Sequence, residues 1–129
     1  MTTQKGSNLV LVDFSGWVEY AASESRADKY APFIENTRGL LIPTIVLYEV
    51  YKKLLVTRGE SVADRFISHA LRAQVVSLDA DLAQAAAHAS IEFRLAMADA
   101  IIYATARSFE AQLVTSDTHF QGLPGVTLI

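Results

Sequence analysis

The chain has 129 residues, 51% hydrophobic and 19% charged, with 11 Lys and Arg against 14 Asp and Glu for a net charge of −3. This length predicts one domain with a true core, and the hydrophobic share excludes intrinsic disorder. Cysteine is absent, which excludes a disulfide scaffold, a cysteine nucleophile and thiolate metal sites. The acidic balance excludes a pervasive basic coat for nucleic acid, but not a nucleic-acid enzyme that gathers its acids around a cation. Residues 1–8 read as a polar lead-in that frays, and 9–129 as the folded domain. Leu9-Val10-Leu11-Val12 is a continuous apolar run halted by Asp13, the pattern of a strand buried on both faces. Ser15 reads as the N-cap of a helix carrying Trp17, Val18 and Ala21, and a second helix is expected over Ala27–Glu35. Arg38-Gly39 is a turn before a second strand, Leu40-Leu41-Ile42. Pro43-Thr44 opens a helix with Val46, Leu47, Val50, Leu54 and Leu55 as its apolar stripe, and Gly59 closes it. A further helix runs from about Ser61 to Arg72, and Gln74 to Leu78 is a third strand.

From Asp79 to Phe109 the pattern is helical without a Gly or Pro. An unbroken helix there would span about 45 Å, too long for a globule with a radius of gyration of about 14 Å. A break is therefore expected between Ser90 and Leu95, with a second helix from about Ala96. Leu113-Val114-Thr115 is a fourth strand and Val126 to Ile129 a last one. Strands alternating with helices predict an α/β fold: a mainly parallel central sheet of four to five short strands with helices on both faces. No apolar run approaches the roughly 18–20 residues of a membrane span and no signal-peptide core is visible, so a cytoplasmic protein without a membrane partner is expected.

Ligands of open α/β sheets bind beyond the carboxyl ends of the strands. Asp13 and Asp117 follow the first and fourth strands, while Glu49 and Asp99 lie early in helices entered from that same edge. Four carboxylates on one rim raise one another's pKa values, and a hard divalent cation such as Mg²⁺ or Mn²⁺ resolves the repulsion. One or two such ions support in-line phosphodiester hydrolysis, which is nuclease chemistry. Each acid also has a plainer reading. Asp13 and Asp117 suit a cap or an Asx turn, and Glu49 suits an exposed pair with Lys52 or Lys53. Asp99 resists such a reading, because Ala96-Met97-Ala98 and Ala100-Ile101-Ile102 enclose it in apolar chain.

Other chemistries lack support. His69, His88 and His119 share no element and no helical pairing, which argues against zinc. Asp79 and Asp81 open a helix and suit its dipole. Ser15 lacks a nucleophile elbow and reads as a cap or a hydroxyl near the metal. Neither a P-loop nor a dinucleotide glycine motif is present. Lys52, Lys53, Arg94 and Arg107 are candidates for phosphate contacts, with a solvated helix face as the simpler role for each.

These segments together resemble the PIN domain, and within it the VapC-type toxins of prokaryotic toxin–antitoxin modules. Leu11-Val12-Asp13-Phe14-Ser15-Gly16-Trp17 is similar to the family's opening strand and first acid. Ile42-Pro43-Thr44 through Glu49 resembles the segment of its second acid, and Ala98-Asp99-Ala100-Ile101-Ile102-Tyr103-Ala104-Thr105-Ala106 that of its third. Leu113-Val114-Thr115-Ser116-Asp117-Thr118-His119-Phe120 resembles the fourth, and Pro124-Gly125-Val126 leads to the last strand. The chain departs from the family's pattern at Phe14, where a small hydroxylic residue is common, and at His119, where an acid is common. The resemblance implies a Mg²⁺- or Mn²⁺-dependent endoribonuclease of tRNA or ribosomal RNA, usually a homodimer, held inactive by a cognate antitoxin. It implies Asp13, Asp99 and Asp117 as metal ligands, with Glu49 completing the catalytic pocket as a ligand, through water, or as a base. Ser15 and Thr115 follow as hydrogen-bonding support. The rival readings are a catalytically inert PIN-like protein-binding module and, more remotely, a phospho-acceptor receiver domain, which needs paired acids where Asp13 is followed by Phe14.

Overall fold

The computed structural model describes residues 8–129. The fraying lead-in expected at 1–8 therefore lies outside the described residues, apart from Asn8, an exposed turn residue. Among the described residues, five strands form one sheet: β1 (Val10–Val12), β2 (Leu40–Pro43), β3 (Gln74–Val76), β4 (Gln112–Thr115) and β5 (Val126–Leu128). Their order is β3-β2-β1-β4-β5 and every pairing is parallel. The strands alternate with the helices α1 (Phe14–Ala21), α2 (Ala27–Ile34), α3 (Thr44–Thr57), α4 (Glu60–Ala70), α5 (Ala80–Phe93) and α6 (Met97–Ser108). The helices flank both faces of the sheet, as the alternation of apolar runs and helical stripes predicts.

Burial explains why the strands carry no alternation. Leu11, Val12, Leu40, Leu41, Ile42, Leu113 and Val114 are all fully enclosed, because helices cover both faces of the central strands. Trp17 on α1 packs edge-on against Phe66 on α4, with ring centroids 5.2 Å apart, and so joins two helices. His69 belongs to this structural layer. Its Nε2 lies 2.9 Å from the Ile34 carbonyl, and its ring faces Trp17.

The break expected between Ser90 and Leu95 is present. Arg94 ends α5 in the left-handed region at φ 56°, the Ser90 hydroxyl donates to the Leu95 carbonyl at 2.7 Å, and Leu95 N–H donates back to Ser90 O. The serine closes the turn that glycine usually makes. Beyond it, seven consecutive residues of α6, Ala100 to Ala106, are buried. The alanines among them, Ala100, Ala104 and Ala106, allow close approach to α5 and the sheet, while Ile101, Ile102 and Tyr103 fill the core.

One boundary needs correction. The N-cap of α1 is Asp13, not Ser15: Asp13 has extended backbone and its carboxylate accepts from Gly16 N–H, while Ser15 lies inside the helix. Gly59 closes α3 as expected: Arg58 caps the helix after Thr57, the N–H groups of Arg58 and Gly59 both donate to Leu54 O, and Gly59, at a φ of 90° that disfavours any side chain, also precedes the first residue of α4.

Candidate metal centre

In the sheet order β1 lies between β2 and β4, so the chain leaves β1 and β4 at the carboxyl-end crevice where such sheets bind ligands. Val12 pairs with Val114, which brings Asp13 and Thr115 together at that end. Asp13 is 3% exposed. Its Oδ1 accepts from the Ser15 hydroxyl at 2.7 Å and Gly16 N–H at 3.4 Å, and its Oδ2 accepts from the Thr115 hydroxyl at 2.8 Å. Burial pushes the carboxyl up to about 6 from an ordinary 3.8, even though all three donors favour its charged form, and the Asp117 charge adds to the rise.

Asp117 follows β4 by two residues. Its backbone N–H donates to Thr115 Oγ1 at 2.9 Å, and its Oδ1 caps a single 3₁₀ turn, Thr118–Phe120, by accepting from His119 N–H. Asp99 lies in the first turn of α6, half-buried, with its carboxyl raised by burial and by the Asp117 charge and lowered by His119. Glu49 lies in the second turn of α3. Its carboxyl is raised by burial and then by the charges of Asp99 and Asp13, and its Oε1 is buried without a hydrogen-bond partner. Each of the four acids is thus electrostatically tied to another, so the fold brings together the residues singled out in the sequence. Their plainer readings are also partly true, since Asp13 and Asp117 both cap turns.

His119 joins this cluster. Its Nδ1 is 2.8 Å from Asp117 Oδ1 and 3.9 Å from Asp99 Oδ2, and one ligand atom from each of Asp99, Asp117 and His119 lies within 4.8 Å of the others. A buried carboxylate oxygen without a donor, mutually raised acids and an oxygen-rich donor set are what a divalent cation would satisfy, and the residues fit one.

Other members of the site gave no sequence signal. The Tyr30 hydroxyl donates to Ser116 Oγ at 2.9 Å, and Ser116 in turn contacts the Ser15 hydroxyl through both its N–H and its Oγ. Tyr30 comes from α2, far from the acids in sequence, and only the folded chain places it there. Lys52 and Lys53 line a groove of about 340 Å³ with Phe14, Tyr48, Glu49 and Val56, so two of the expected basic residues flank the rim. Arg107 does not. It lies at the far end of α6, beside Glu110, Gln112 and Gly125 near the amino end of β4, because the length of α6 separates it from Asp99. Arg94 is exposed in the turn before α6. A groove of about 470 Å³ between α1, α2 and α4, lined by Trp17, Tyr20, Phe66 and His69 among others, shares no residue with the acids.

A family model of the PIN domain matches residues 10–126. The chain belongs to the PIN domain family. Among solved structures, a toxin–antitoxin complex from Klebsiella pneumoniae is similar over 92% of this chain and 95% of that one, with TM-score 0.76 and 24% identity. VapC20 of Mycobacterium tuberculosis, a sarcin–ricin loop cleaving toxin, matches over 91% and 96%, with TM-score 0.74 and 20% identity. DNA-bound VapBC from Salmonella typhimurium matches over 94% and 96%, with TM-score 0.74 and 16% identity. At these identities the likeness is one of fold. No curated protein matches the sequence. Among the described residues, no helix is long and apolar enough to cross a membrane.

Proposed function

We propose that this PIN domain is a Mg²⁺- or Mn²⁺-dependent endoribonuclease, the toxin of a VapBC-type pair, which hydrolyses phosphodiester bonds of tRNA or ribosomal RNA in the cytoplasm. The observation that carries this reading is the convergence of Asp13, Glu49, Asp99 and Asp117 at the carboxyl ends of β1 and β4, in a chain of this family. In this reading Asp13, Asp99 and Asp117 hold the cation. A divalent ion bound there would supply activation of water and neutralisation of charge on the phosphate.

The residues supply the rest. Ser15, Gly16 and Thr115 hold Asp13 in a single orientation, so its carboxylate needs no reorganisation when a ligand arrives. Glu49 offers an unpartnered oxygen with a raised affinity for protons, the property of a general base. Lys52 and Lys53, beside the apolar surface of Phe14 and Tyr48, are placed to meet phosphates and bases of a strand passing the acids. The structures of toxin–antitoxin complexes with this fold support a cognate antitoxin as the partner, with homodimerisation as the family expectation.

The test is cleavage of total cellular RNA by purified, partner-free protein with Mn²⁺ or Mg²⁺, with EDTA, and with Asp13→Asn. Discrete metal-dependent products that vanish in EDTA and in the variant are expected. A folded protein that neither cleaves RNA nor binds metal would instead favour a PIN-like binding module without turnover.

A further inference from the structure

We infer that His119 is itself a ligand of the cation held by Asp99 and Asp117, and that it makes this centre select first-row transition-metal ions over Mg²⁺. The inference rests on the metal-dependent reading above and adds a specificity-determining residue to it.

The spacing of the donor atoms admits a shared cation. A cation bonded at roughly 2.1 Å holds adjacent ligand atoms about 3 Å apart and opposed ones about 4.2 Å apart. The imidazole nitrogen lies 2.8 Å from one carboxylate oxygen and 3.9 Å from the other, within that range. The ring is delivered by backbone, not by chance contact. His119 N–H and the ring Nδ1 both meet Asp117 Oδ1, and the next residue, Phe120, is fully buried and pins the turn. The side chain is 77% exposed, so its ring is turned toward the two acids by their charge rather than by packing, and a cation would take the place of that contact.

The chemistry then sets the preference. A centre of carboxylates alone suits Mg²⁺, which takes oxygen ligands and keeps its waters. Replacing one oxygen with imidazole nitrogen favours Mn²⁺ over Mg²⁺ and strengthens binding further along the series toward Co²⁺ and Ni²⁺. With the carboxylates of Asp99 and Asp117, the imidazole makes a mixed nitrogen–oxygen site, and Asp13 and Glu49 lie within electrostatic reach of it.

The experiment measures dissociation constants of the intact protein for Mn²⁺, Co²⁺ and Mg²⁺ by calorimetry, and the pulsed EPR spectrum of bound Mn²⁺. It compares wild type with His119→Ala, His119→Asp and Asp99→Asn. Melting in EDTA verifies that each variant folds, which the exposed position of His119 favours. Wild type should bind Mn²⁺ more tightly than Mg²⁺ and show ¹⁴N modulation from a histidine ligand. His119→Ala should lose that modulation and reduce the Mn²⁺-over-Mg²⁺ preference by about tenfold, and His119→Asp should restore Mg²⁺ binding without the modulation. If Asp99→Asn weakens Mn²⁺ binding while His119→Ala leaves the preference and the spectrum unchanged, the acidic centre stands and this inference falls. If neither substitution alters Mn²⁺ binding, the inference and the metal-dependent reading fall together.

Discussion

The Thr115 hydroxyl stands between two acids: it donates to Asp13 Oδ2 at 2.8 Å and accepts from Asp117 N–H at 2.9 Å. Asp13 and Thr115 are 102 residues apart in sequence, yet parallel pairing of β1 with β4 makes them neighbours. One fully buried oxygen therefore fixes the spacing between the first and fourth acids. The sheet register is thereby translated into the geometry of the site.

Thr115→Val keeps the shape of the side chain and removes this oxygen, leaving Asp13 Oδ2 and Asp117 N–H without their partner. The expected cost is about 1–3 kcal/mol of stability. Asp13 loses a donor that favours its charged form, so its carboxyl rises further and the loss should be larger at pH 7.5 than at pH 5. Urea denaturation in EDTA at the two pH values measures both effects. An equal loss at both would mean that the hydroxyl does not act on the Asp13 charge.

Asp13 gives a pH dependence of opposite sense to that of most paired carboxylates. Its folded carboxyl, at about 6 against an ordinary 3.8, binds its proton more tightly in the folded chain than in the unfolded one. The metal-free protein should therefore lose stability as pH rises through the window from 3.8 to about 6. The limit of this effect is about 3 kcal/mol, and the raised carboxyls of Glu49 and Asp99 act in the same direction. Asp13→Asn should raise the melting temperature in EDTA at pH 7.5 and flatten the dependence. A variant that melts lower than wild type at pH 7.5 would show that the charged form is well tolerated.

The sheet was readable because its central strands are covered on both faces and so appear as unbroken apolar runs ended by Asp13 or by Pro43. The acids were readable because strand ends and first helical turns are fixed by position along the chain. The break after α5 followed from length alone, although the Ser90–Leu95 exchange that makes it could not be inferred from residue type. Whatever depended on side-chain direction was hidden. Asp13 and Ser15 are both good caps, and only the backbone at Asp13 decides between them. Arg107 shares a helix with Asp99 but lies at its other end. Tyr30 reaches Ser116 across 86 residues, a contact for which no local pattern exists. In the sequence His119 was set aside as a zinc ligand and stood out as a departure from the family pattern; the fold places it beside Asp117.

Divalent ions should stabilise the fold through the same acids. A ligand bound only by the folded state adds about 2.7 kcal/mol when its concentration is about a hundred times its dissociation constant. Mn²⁺ should therefore raise the melting temperature at pH 7.5, and less at pH 5, where protonated Asp13 competes with the cation. Asp99→Asn should abolish most of the rise. Differential scanning fluorimetry with a Mn²⁺ titration measures it, and an undiminished rise in the variant would place the ion elsewhere.

Gly16 is the tightest point behind the site. A Cβ built there would lie 2.4 Å from Tyr30 Cε1 and 2.4 Å from Val12 Cγ1. Both neighbours are enclosed: Val12 is a central strand residue, and Tyr30 is held by its hydrogen bond to Ser116. Gly16→Ala must push α1 off the sheet or turn Tyr30 out of its place, at an expected cost of about 1–3 kcal/mol. Because Gly16 N–H also caps onto Asp13, a shift of α1 carries the first acid with it. Gly16→Ala should then weaken Mn²⁺ binding as well as lower the melting temperature in EDTA, whereas Tyr30→Phe, which keeps the ring and removes only the hydroxyl, should do less of both. Loss of stability with unaltered Mn²⁺ affinity would show that the collision is absorbed by Tyr30 and leaves Asp13 where it stands.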